Sequence, residues 1–332
     1  MQAIETHGGR MKSKTAFVTG ANGFLGANLV RELLAQGWEV TVFHRPASNL
    51  WRLKGLNVGL REGSFQDRAS LEAALPEGTD AVFHLAAKVS FWRGDDAVMQ
   101  RDNVEATRTL LETALLRRVG RFIHTSSVTA YGFSDRRVDE SFPRDGLKSG
   151  LGYMSTKAQA ELAVLEAVGR GLDAVILNPA DVLGPLDTEH WGNSMRKVKE
   201  GKMPAAPPGS SSFVHAGEAA KAHVAAAEKG RKGENYILAG TDAPYIEVFS
   251  TMEDIVGVPH KVKAAPAFPL QVYAQASQAF SWLTGKAPLV TPELVKWLCR
   301  KMSYESGKAQ KELGFQVRPL RQMLEDCWAS LP

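Results

Sequence analysis

The chain has 332 residues, of which 44% are hydrophobic, so it can bury a sizeable core as one large or two coupled domains. Its formal net charge is +4, and its basic residues are scattered among acidic ones, which argues against nucleic-acid binding. The two cysteines, Cys299 and Cys327, are too few for a disulfide framework and are not spaced as zinc ligands, so we expect a cytoplasmic protein. No uninterrupted run of about 20 apolar residues predicts a transmembrane segment, and residues 1–10 are expected to form a loose tail.

The first predicted strand ends in a glycine-rich turn. An apolar run at residues 15–18 precedes Thr-Gly-Ala-Asn-Gly-Phe-Leu-Gly at residues 19–26, and an amphipathic segment follows. Strand, glycine turn and helix in this order are typical of a dinucleotide-binding loop. Its glycines would allow unusual dihedral angles, a close approach of pyrophosphate and tight packing of helix on strand. The cofactor contacts predicted here are Gly20, Asn22, Gly23, Phe24, Leu25 and Gly26.

The loop after the second predicted strand, at residues 38–43, bears on the choice of cofactor. An acidic residue there would bind both ribose hydroxyls of NAD. The chain has Arg45 instead, with Ser48 and Arg52 nearby, and a guanidinium can bind a 2′-phosphate bidentately. NADP(H) is therefore favoured over NAD(H), with an unliganded surface arginine as the alternative. Asp67, after the third strand, is predicted to lie near the adenine, to cap the next helix, or both.

The fourth predicted strand, at residues 80–87, leads to the ligand edge of the sheet. It ends in residues that would let ribose and pyrophosphate lie against the backbone: Leu85, Ala86 and Ala87. His84, inside the apolar run, is interpreted as a packed core histidine, and no metal site is predicted because no second ligand stands at a suitable spacing. Ligands of open α/β sheets bind beyond the carboxyl ends of strands. The substrate contacts predicted there are Lys88, Ser90, Phe91 and Trp92.

The residues for chemistry follow the fifth predicted strand, which ends at Thr125 and runs into Ser127. Tyr153 and Lys157 stand at the head of an amphipathic helix, and residues four apart share a helix face. A phenol has a pKa of about 10, and a nearby cation favours its ionised form. Ser127 would bind the substrate oxygen, Tyr153 would exchange the proton, and Lys157 would support Tyr153 and hold the nicotinamide ribose.

The glycine turn, the Ser126–Ser127 strand end and the Tyr153–Lys157 pair together resemble the extended branch of the short-chain dehydrogenase/reductase superfamily. Later segments, at residues 282–288, 301–304 and 311–315, are similar to bacterial relatives of dihydroflavonol reductases and 3β-hydroxysteroid dehydrogenases. The alternating elements predict an α/β fold, a Rossmann-type doubly wound parallel sheet with a smaller C-terminal substrate lobe. We expect residues 11–184, with a return at about 211–240, to form the NAD(P)-binding domain, and residues 185–210 and 241–332 to form the substrate lobe.

The resemblance implies further site residues and an assembly. It places Asn103 in the active site, although Ala106 replaces the family's usual glycine. It implies cofactor contacts at Thr125, Asn178, Pro179 and Val182, besides Tyr153 and Lys157. The segment at residues 213–220 resembles one with two adjacent acidic residues, from which Gly217 and Glu218 depart. Relatives pair through the helices that here carry Asn103 and Tyr153, so a homodimer is expected.

Three functions fit these residues. The first is an NADPH-dependent reductase of a mainly apolar carbonyl compound, in agreement with Arg45 and the aromatic loop. The second is a nucleotide-sugar epimerase or dehydratase with tightly bound NAD, for which the basic cluster Arg196, Lys197 and Lys199 could bind a diphosphate or simply face solvent. The third is a non-enzymatic NADPH sensor, which the intact tyrosine and lysine disfavour. The apolar segment at residues 264–283 is expected to cover a substrate pocket, with a membrane surface as its alternative partner.

Overall fold

A parallel sheet of seven strands forms the centre of the computed structural model, which describes residues 13–203, 205–284, 288 and 290–331. Its strands stand in the order β3-β2-β1-β4-β5-β6-β9, so the predicted doubly wound α/β fold is confirmed. The predicted tail at residues 1–10, and residues 285–287 of one segment that carries the resemblance, lie outside the described residues. The strands of this sheet are β1 (Thr15–Thr19), β2 (Glu39–His44), β3 (Gly59–Glu62), β4 (Ala81–His84), β5 (Arg121–Thr125), β6 (Ala174–Pro179) and β9 (Asn235–Leu238).

Both faces of this sheet are covered, which explains why its central strands are almost continuously apolar. Val18 on one face belongs to a core with Leu29 and Leu33, whereas Phe17 on the other face packs with Phe43 and other buried side chains. The helices of the chain are α1 (Phe24–Ala35), α2 (Arg68–Ala74), α3 (Asp96–Met99), α4 (Ala106–Leu116), α5 (Gly152–Gly169), α6 (Trp191–Lys199), α7 (Ala216–Lys229), α8 (Tyr245–Val256), α9 (Ala267–Thr284), α10 (Pro292–Leu298), α11 (Gly307–Leu313) and α12 (Leu320–Ala329).

A second, three-stranded sheet lies on the side of the C-terminal helices. It consists of β7 (Asp181–Leu183), β8 (Ser210–His215) and β10 (Thr241–Pro244), in the order β10-β8-β7. Its apolar side chains, such as Leu183 and Phe213, form a separate core with side chains of α6, α8 and α12. Strand β9 then returns the chain to the large sheet beside β6. We propose that these two cores are the centres of the cofactor-binding and substrate lobes.

The helical stretch from Asp96 to Leu116 is interrupted in the structure. Residues 100–105 form a π-helical turn between α3 and α4. Such wide turns insert an extra residue into a helix and are frequent at functional sites. Here the turn carries Asn103. Among the described residues, no helix is long and apolar enough to cross a membrane.

Candidate active site

The glycine turn between β1 and α1 has a geometry that other residues could not adopt. Gly20 has φ +73°, and a Cβ atom there would lie 2.5 Å from the backbone nitrogen of Ala86. A Cβ atom on Gly26 would lie 2.2 Å from the carbonyl oxygen of Gly20. Gly23 precedes α1, and its N–H donates to Gly20 O at 3.0 Å. The turn therefore depends on two close backbone approaches, from Ala86 just after β4 and from Gly26 in α1.

A cleft of about 450 Å³ opens beside this turn, at the carboxyl ends of β1, β2 and β4. The bare backbone at Gly20 and Gly23 borders it, so a flat dinucleotide can approach the chain there. Asp67 lies outside the lining and caps α2 by accepting a hydrogen bond from Ser70 N at 3.3 Å. The predicted cofactor residues that line the cleft are Gly20, Asn22, Gly23, Arg45, Leu85, Ala86 and Ala87, whereas Phe24 and Leu25 begin α1.

Arg45 and Arg52, predicted to lie near each other, have different surroundings. The side chain of Arg45 is 67% exposed and lies 3.5 Å from the carboxylate of Asp102 at the rim of the cleft. The side chain of Arg52 is only 5% exposed and donates to the carbonyl oxygens of Asn22 and Leu186. Arg52 therefore holds the glycine turn against the segment after β7. Arg45 is the better candidate for contact with a ligand phosphate.

Ser127, Tyr153 and Lys157 come together at the carboxyl end of β5. Ser127 begins a short 3₁₀ turn and accepts a hydrogen bond from Thr129 N at 3.2 Å. Its hydroxyl group is hydrogen-bonded to the hydroxyl group of Tyr153, which stands in the first turn of α5. One turn later, Lys157 Nζ donates to the carbonyl oxygen of Thr125 at 2.7 Å. The three side chains that the sequence singled out thus form one cluster.

Burial dominates the protonation of this cluster. It raises the pKa of Tyr153 to about 12, although the hydrogen bond with Ser127 opposes the shift. Burial also lowers the pKa of Lys157 to about 8, although the charge of Glu161 opposes this shift. The sequence predicted that a neighbouring cation would favour the ionised phenol. In the structure the pKa of Tyr153 moves the other way because desolvation penalises phenolate, while the ammonium group faces the Thr125 carbonyl.

Asn103 holds the loop after β4 and lies next to α5, the helix that carries Tyr153. Its Oδ1 accepts from Lys88 N at 2.7 Å, and its Nδ2 donates to Lys88 O at 2.9 Å. The same Nδ2 lies 3.2 Å from the hydroxyl oxygen of Thr156. Asn103 is therefore a positioning residue in this structure, since its amide is bonded to backbone and helix.

A buried polar group behind Ser127 was missed in the sequence. Asn178 Nδ2 donates to Ser127 O at 3.1 Å and to Glu161 Oε1 at 2.6 Å. Glu161, which is fully buried, also accepts from Arg144 Nε at 2.6 Å. Asn178, predicted as a cofactor contact, thus faces the back of the site. We call Ser127, Arg144, Glu161 and Asn178 the polar floor. One signal was available, because Glu161 follows Lys157 by one helical turn.

The other two residues predicted to meet the nicotinamide flank this floor. Pro179 ends β6, and Val182 lies in β7 and packs against the large core. His84 is buried as expected, with hydrogen bonds of 2.8 Å to the hydroxyl groups of Thr19 and Thr107. Burial, assisted by the charge of Lys157, lowers the pKa of His84 to about 3. Within the described residues, no group of three or more His, Cys, Asp or Glu side chains could hold a metal ion.

The predicted substrate residues divide between two cavities. Ser90 and Phe91 line a narrow cavity at Tyr153, with ring centroids of Phe91 and Tyr153 6.0 Å apart. Lys88 lines the cofactor cleft, and Trp92 lines neither of these two spaces. The narrow cavity shares three lining residues, Arg93, Leu151 and Glu293, with a cleft of about 710 Å³ beneath α9 and α10. We call this second space the outer cleft.

These features define an α/β enzyme class with a dinucleotide cleft next to a Ser-Tyr-Lys cluster. A sequence profile of the NAD dependent epimerase/dehydratase family matches residues 16–239. The chain is 32% identical to Sterol demethylase protein B of Methylococcus capsulatus, over 95% of this chain and 97% of that protein. It is 31% identical to a Synechocystis sp. protein provisionally named dihydroflavonol 4-reductase, over 94% of this chain and 92% of that protein.

A solved structure gives the same result. The crystal structure of gox2253 superimposes with a TM-score of 0.83 and 33% identity, over 96% of this chain and 98% of that chain. The chain belongs to the NAD dependent epimerase/dehydratase family. The predicted membership of the extended short-chain dehydrogenase/reductases, and with it the prediction of an enzyme, is confirmed.

Proposed function

We propose that the protein is an NADP(H)-dependent oxidoreductase that reduces a carbonyl group, or oxidises a secondary alcohol, on a mainly apolar small molecule. The observation that carries this proposal is the contact between the Ser127 and Tyr153 hydroxyl groups beside buried Lys157. Tyr153 borders a narrow cavity that is lined by Phe91 and Leu151 and also by three charged side chains. The two apolar side chains support an apolar group next to the substrate oxygen.

Each group has a definite part in the proposed reaction. With a pKa of about 12, Tyr153 carries its proton at neutral pH and can donate it to the substrate oxygen. The Ser127 hydroxyl holds that oxygen and stabilises the charge that develops on it. Lys157, with a pKa of about 8, is mainly protonated at neutral pH and stabilises the phenolate after proton transfer. The nicotinamide, when bound, supplies or accepts the hydride.

The cofactor cleft has the shape and charge for a phosphorylated dinucleotide. The close contacts at Gly20 and Gly26 keep side chains away from the bare backbone that would meet the pyrophosphate. Arg45 and Arg101 both line the cleft, and each contacts the carboxylate of Asp102. Asp102 has the only carboxylate among the described residues of the lining. A cationic rim of this kind favours a 2′-phosphate, which supports NADP(H) over NAD(H).

The epimerase alternative receives less support from the geometry. The basic cluster proposed for a sugar diphosphate lies on α6, where Arg196 and Lys199 border a different cleft beside Trp328. The described residues that line that cleft include none that line the cavity at Tyr153. The names of the similar proteins also include a reductase and a sterol-directed protein, in agreement with an apolar substrate.

The test is a set of turnover assays on purified protein. NADPH and NADH are each combined with apolar ketones, aldehydes and 3-oxo acyl compounds, with nucleotide sugars as a parallel set. Net consumption of NADPH with an apolar carbonyl compound is the expected result. Isomerisation of a sugar without net cofactor consumption, together with NAD released on denaturation, would establish the epimerase instead.

We further propose that the enzyme is a cytoplasmic homodimer paired through α4 and α5. These helices pack together in one protomer, and each carries an exposed leucine, Leu116 and Leu162. Exposed apolar residues on neighbouring helices suit a dimer interface. Sedimentation equilibrium of the wild type and of a Leu116→Ser/Leu162→Ser variant tests the pairing. A wild-type protein that sediments as a monomer would exclude it.

A further inference from the structure

Helix α9 has its polar and apolar faces in the reverse of the usual arrangement. A surface helix normally turns apolar side chains inward and polar ones to water. The buried positions of α9 include Ala274, Gln278 and Ser281, and two of these three side chains are polar. The outward positions carry large apolar side chains, and Phe268 and Phe280 are 74% and 67% exposed. The outer face of α9 consists of Phe268, Val272, Tyr273 and Phe280.

The charged residues in the sequence range that contains this helix have one sign. The sequence contains no Asp or Glu from residue 255 to residue 292, whereas Lys261, Lys263 and Lys286 lie in that range. Lys261 and Lys263 are exposed and stand just before α9, in a segment held by backbone hydrogen bonds between Ala206 and residues 263 and 265. Lysines beside an exposed aromatic helix are typical of helices that lie in the interface of an anionic membrane.

The inner side of the same helix borders the route to the catalytic tyrosine. Ala267, Gln271 and Gln275 of α9 line the outer cleft. The outer cleft meets the cavity of Tyr153 at Leu151 and Glu293. The outer cleft and the narrow cavity at Tyr153 are therefore neighbours that share these side chains as a common wall.

We propose that the outer face of α9 is a membrane-docking surface that lies in the headgroup region of an anionic phospholipid bilayer. Lys261 and Lys263 contact lipid phosphates, while Phe268 and Phe280 insert among the acyl chains. Docking places the mouth of the outer cleft at the bilayer, where a poorly water-soluble substrate is concentrated. The substrate-delivery part of this inference rests on the proposed function, whereas the docking part does not.

The experiment is cosedimentation of the full chain with vesicles of phosphatidylcholine alone or mixed with phosphatidylglycerol. We expect binding to the anionic vesicles that weakens as salt is added. A Phe268→Ser/Phe280→Ser variant should lower the partition coefficient by at least about tenfold. Lys261→Gln/Lys263→Gln should lower it about tenfold and reduce its salt dependence.

A matched control is a Leu60→Ser/Val317→Ser variant, since these side chains are 45% and 44% exposed on other parts of the surface. It should bind vesicles like the wild type. Circular dichroism and thermal melting check that each variant is folded. The proposal is overturned if the wild type binds neither vesicle, or if Phe268→Ser/Phe280→Ser binds as well as the wild type. It is also overturned if that variant abolishes self-association in vesicle-free solution, which would make α9 an interface between two copies.

Turnover assays separate docking from catalysis. A water-soluble carbonyl substrate should be reduced at the same rate by the wild type and by Phe268→Ser/Phe280→Ser. A substrate embedded in anionic vesicles should be reduced at least about fivefold more slowly by the variant. Equal rates on the embedded substrate would overturn delivery through α9. If no carbonyl compound is turned over by either protein, the proposed function fails while the vesicle measurement still decides docking.

Discussion

On one side of Tyr153 the protein is buried and polar, and on the other an open cleft is lined by charged, polar and apolar side chains. The polar floor holds Ser127 through Asn178, and Glu161 links Asn178 to Arg144. The outer cleft is bordered by α9, whose large side chains point away from the protein. Hydrogen bonds of fixed direction hold the backbone at Ser127, whereas the outer cleft leaves room for groups of various shapes. The two sides of Tyr153 therefore differ in enclosure as well as in hydrogen bonding.

The largest expected effect comes from removing the proposed proton donor, Tyr153, between the two regions. Tyr153→Phe should lower turnover of a carbonyl substrate about a thousandfold, because general acid catalysis is lost. NADPH binding, measured by fluorescence titration, should remain. Tyr273→Phe, on the outer face of α9, is the matched control and should retain full turnover. Substantial activity in Tyr153→Phe would refute the assignment of the catalytic acid.

Next in size is the loss of the charge at the centre of the polar floor. Glu161→Gln should destabilise the fold by about 3 kcal/mol, since the partner Arg144 loses a buried counter-charge. Glu166→Gln, on the same helix, breaks an exposed pair with Arg108 and should change stability by less than about 1 kcal/mol. Urea denaturation of both variants measures the difference. Equal stabilities would mean that the floor does not depend on this carboxylate.

Gly20 and Gly37 have similar φ angles but different surroundings. A comparison of their alanine variants therefore measures the effect of the close backbone contact at Gly20. Gly37 has φ +79°, and no described atom lies within 4 Å of the place of a Cβ atom there. Gly20 has φ +73°, and a Cβ atom there would lie 2.5 Å from the backbone nitrogen of Ala86. Gly37→Ala should lose about 1 kcal/mol from dihedral strain. Gly20→Ala should lose about 2 kcal/mol more, because the backbone that follows β4 must move. Thermal melts that show equal losses would contradict the close approach.

The pH dependence of stability reports on Lys157. Burial lowers its pKa from 10.5 to about 8, so in this interval the unfolded chain binds more protons than the folded protein. The contribution of Lys157 to stability should therefore rise with pH, by about 2 kcal/mol between about pH 8 and pH 10. Lys157→Met lacks this titration. The difference in unfolding free energy between wild type and variant, measured at several pH values, should change by that amount, and a constant difference would exclude the shift.

The smallest expected effect is at the rim of the cofactor cleft. Arg45→Gln should raise the KM for NADPH about tenfold and leave the KM for NADH nearly unchanged, since one phosphate contact is lost. Arg61→Gln, an exposed arginine on β3 that bonds to the Leu60 carbonyl, is the control. Initial-rate kinetics with both cofactors distinguish the variants. An equal rise for both cofactors would assign Arg45 a role outside phosphate recognition.

The sequence was most informative where the determining contacts are local. The spacing of Tyr153 and Lys157 predicts a shared helix face. The glycine at residue 20 predicts a turn with a positive φ angle, which the structure has. Contacts between distant segments left no such pattern. Arg52 pairs with residues more than a hundred positions away, so the sequence could place it near Arg45 but could not predict its structural role. The shift in the pKa of Tyr153 was also hidden, because it depends on burial by several elements.

The amide of Asn103 has a consequence for how this site can diversify. The amide accepts a hydrogen bond from the N–H group of Lys88 and donates one to its carbonyl oxygen. A neighbouring β-strand would make the same pair of bonds. The start of the loop is therefore anchored by a side chain, independently of the residues that follow. Positions such as Ser90 and Phe91 can change while Tyr153 and the polar floor stay in place. One amide thus separates the loop that we propose to contact the substrate from the residues that we propose to carry the chemistry.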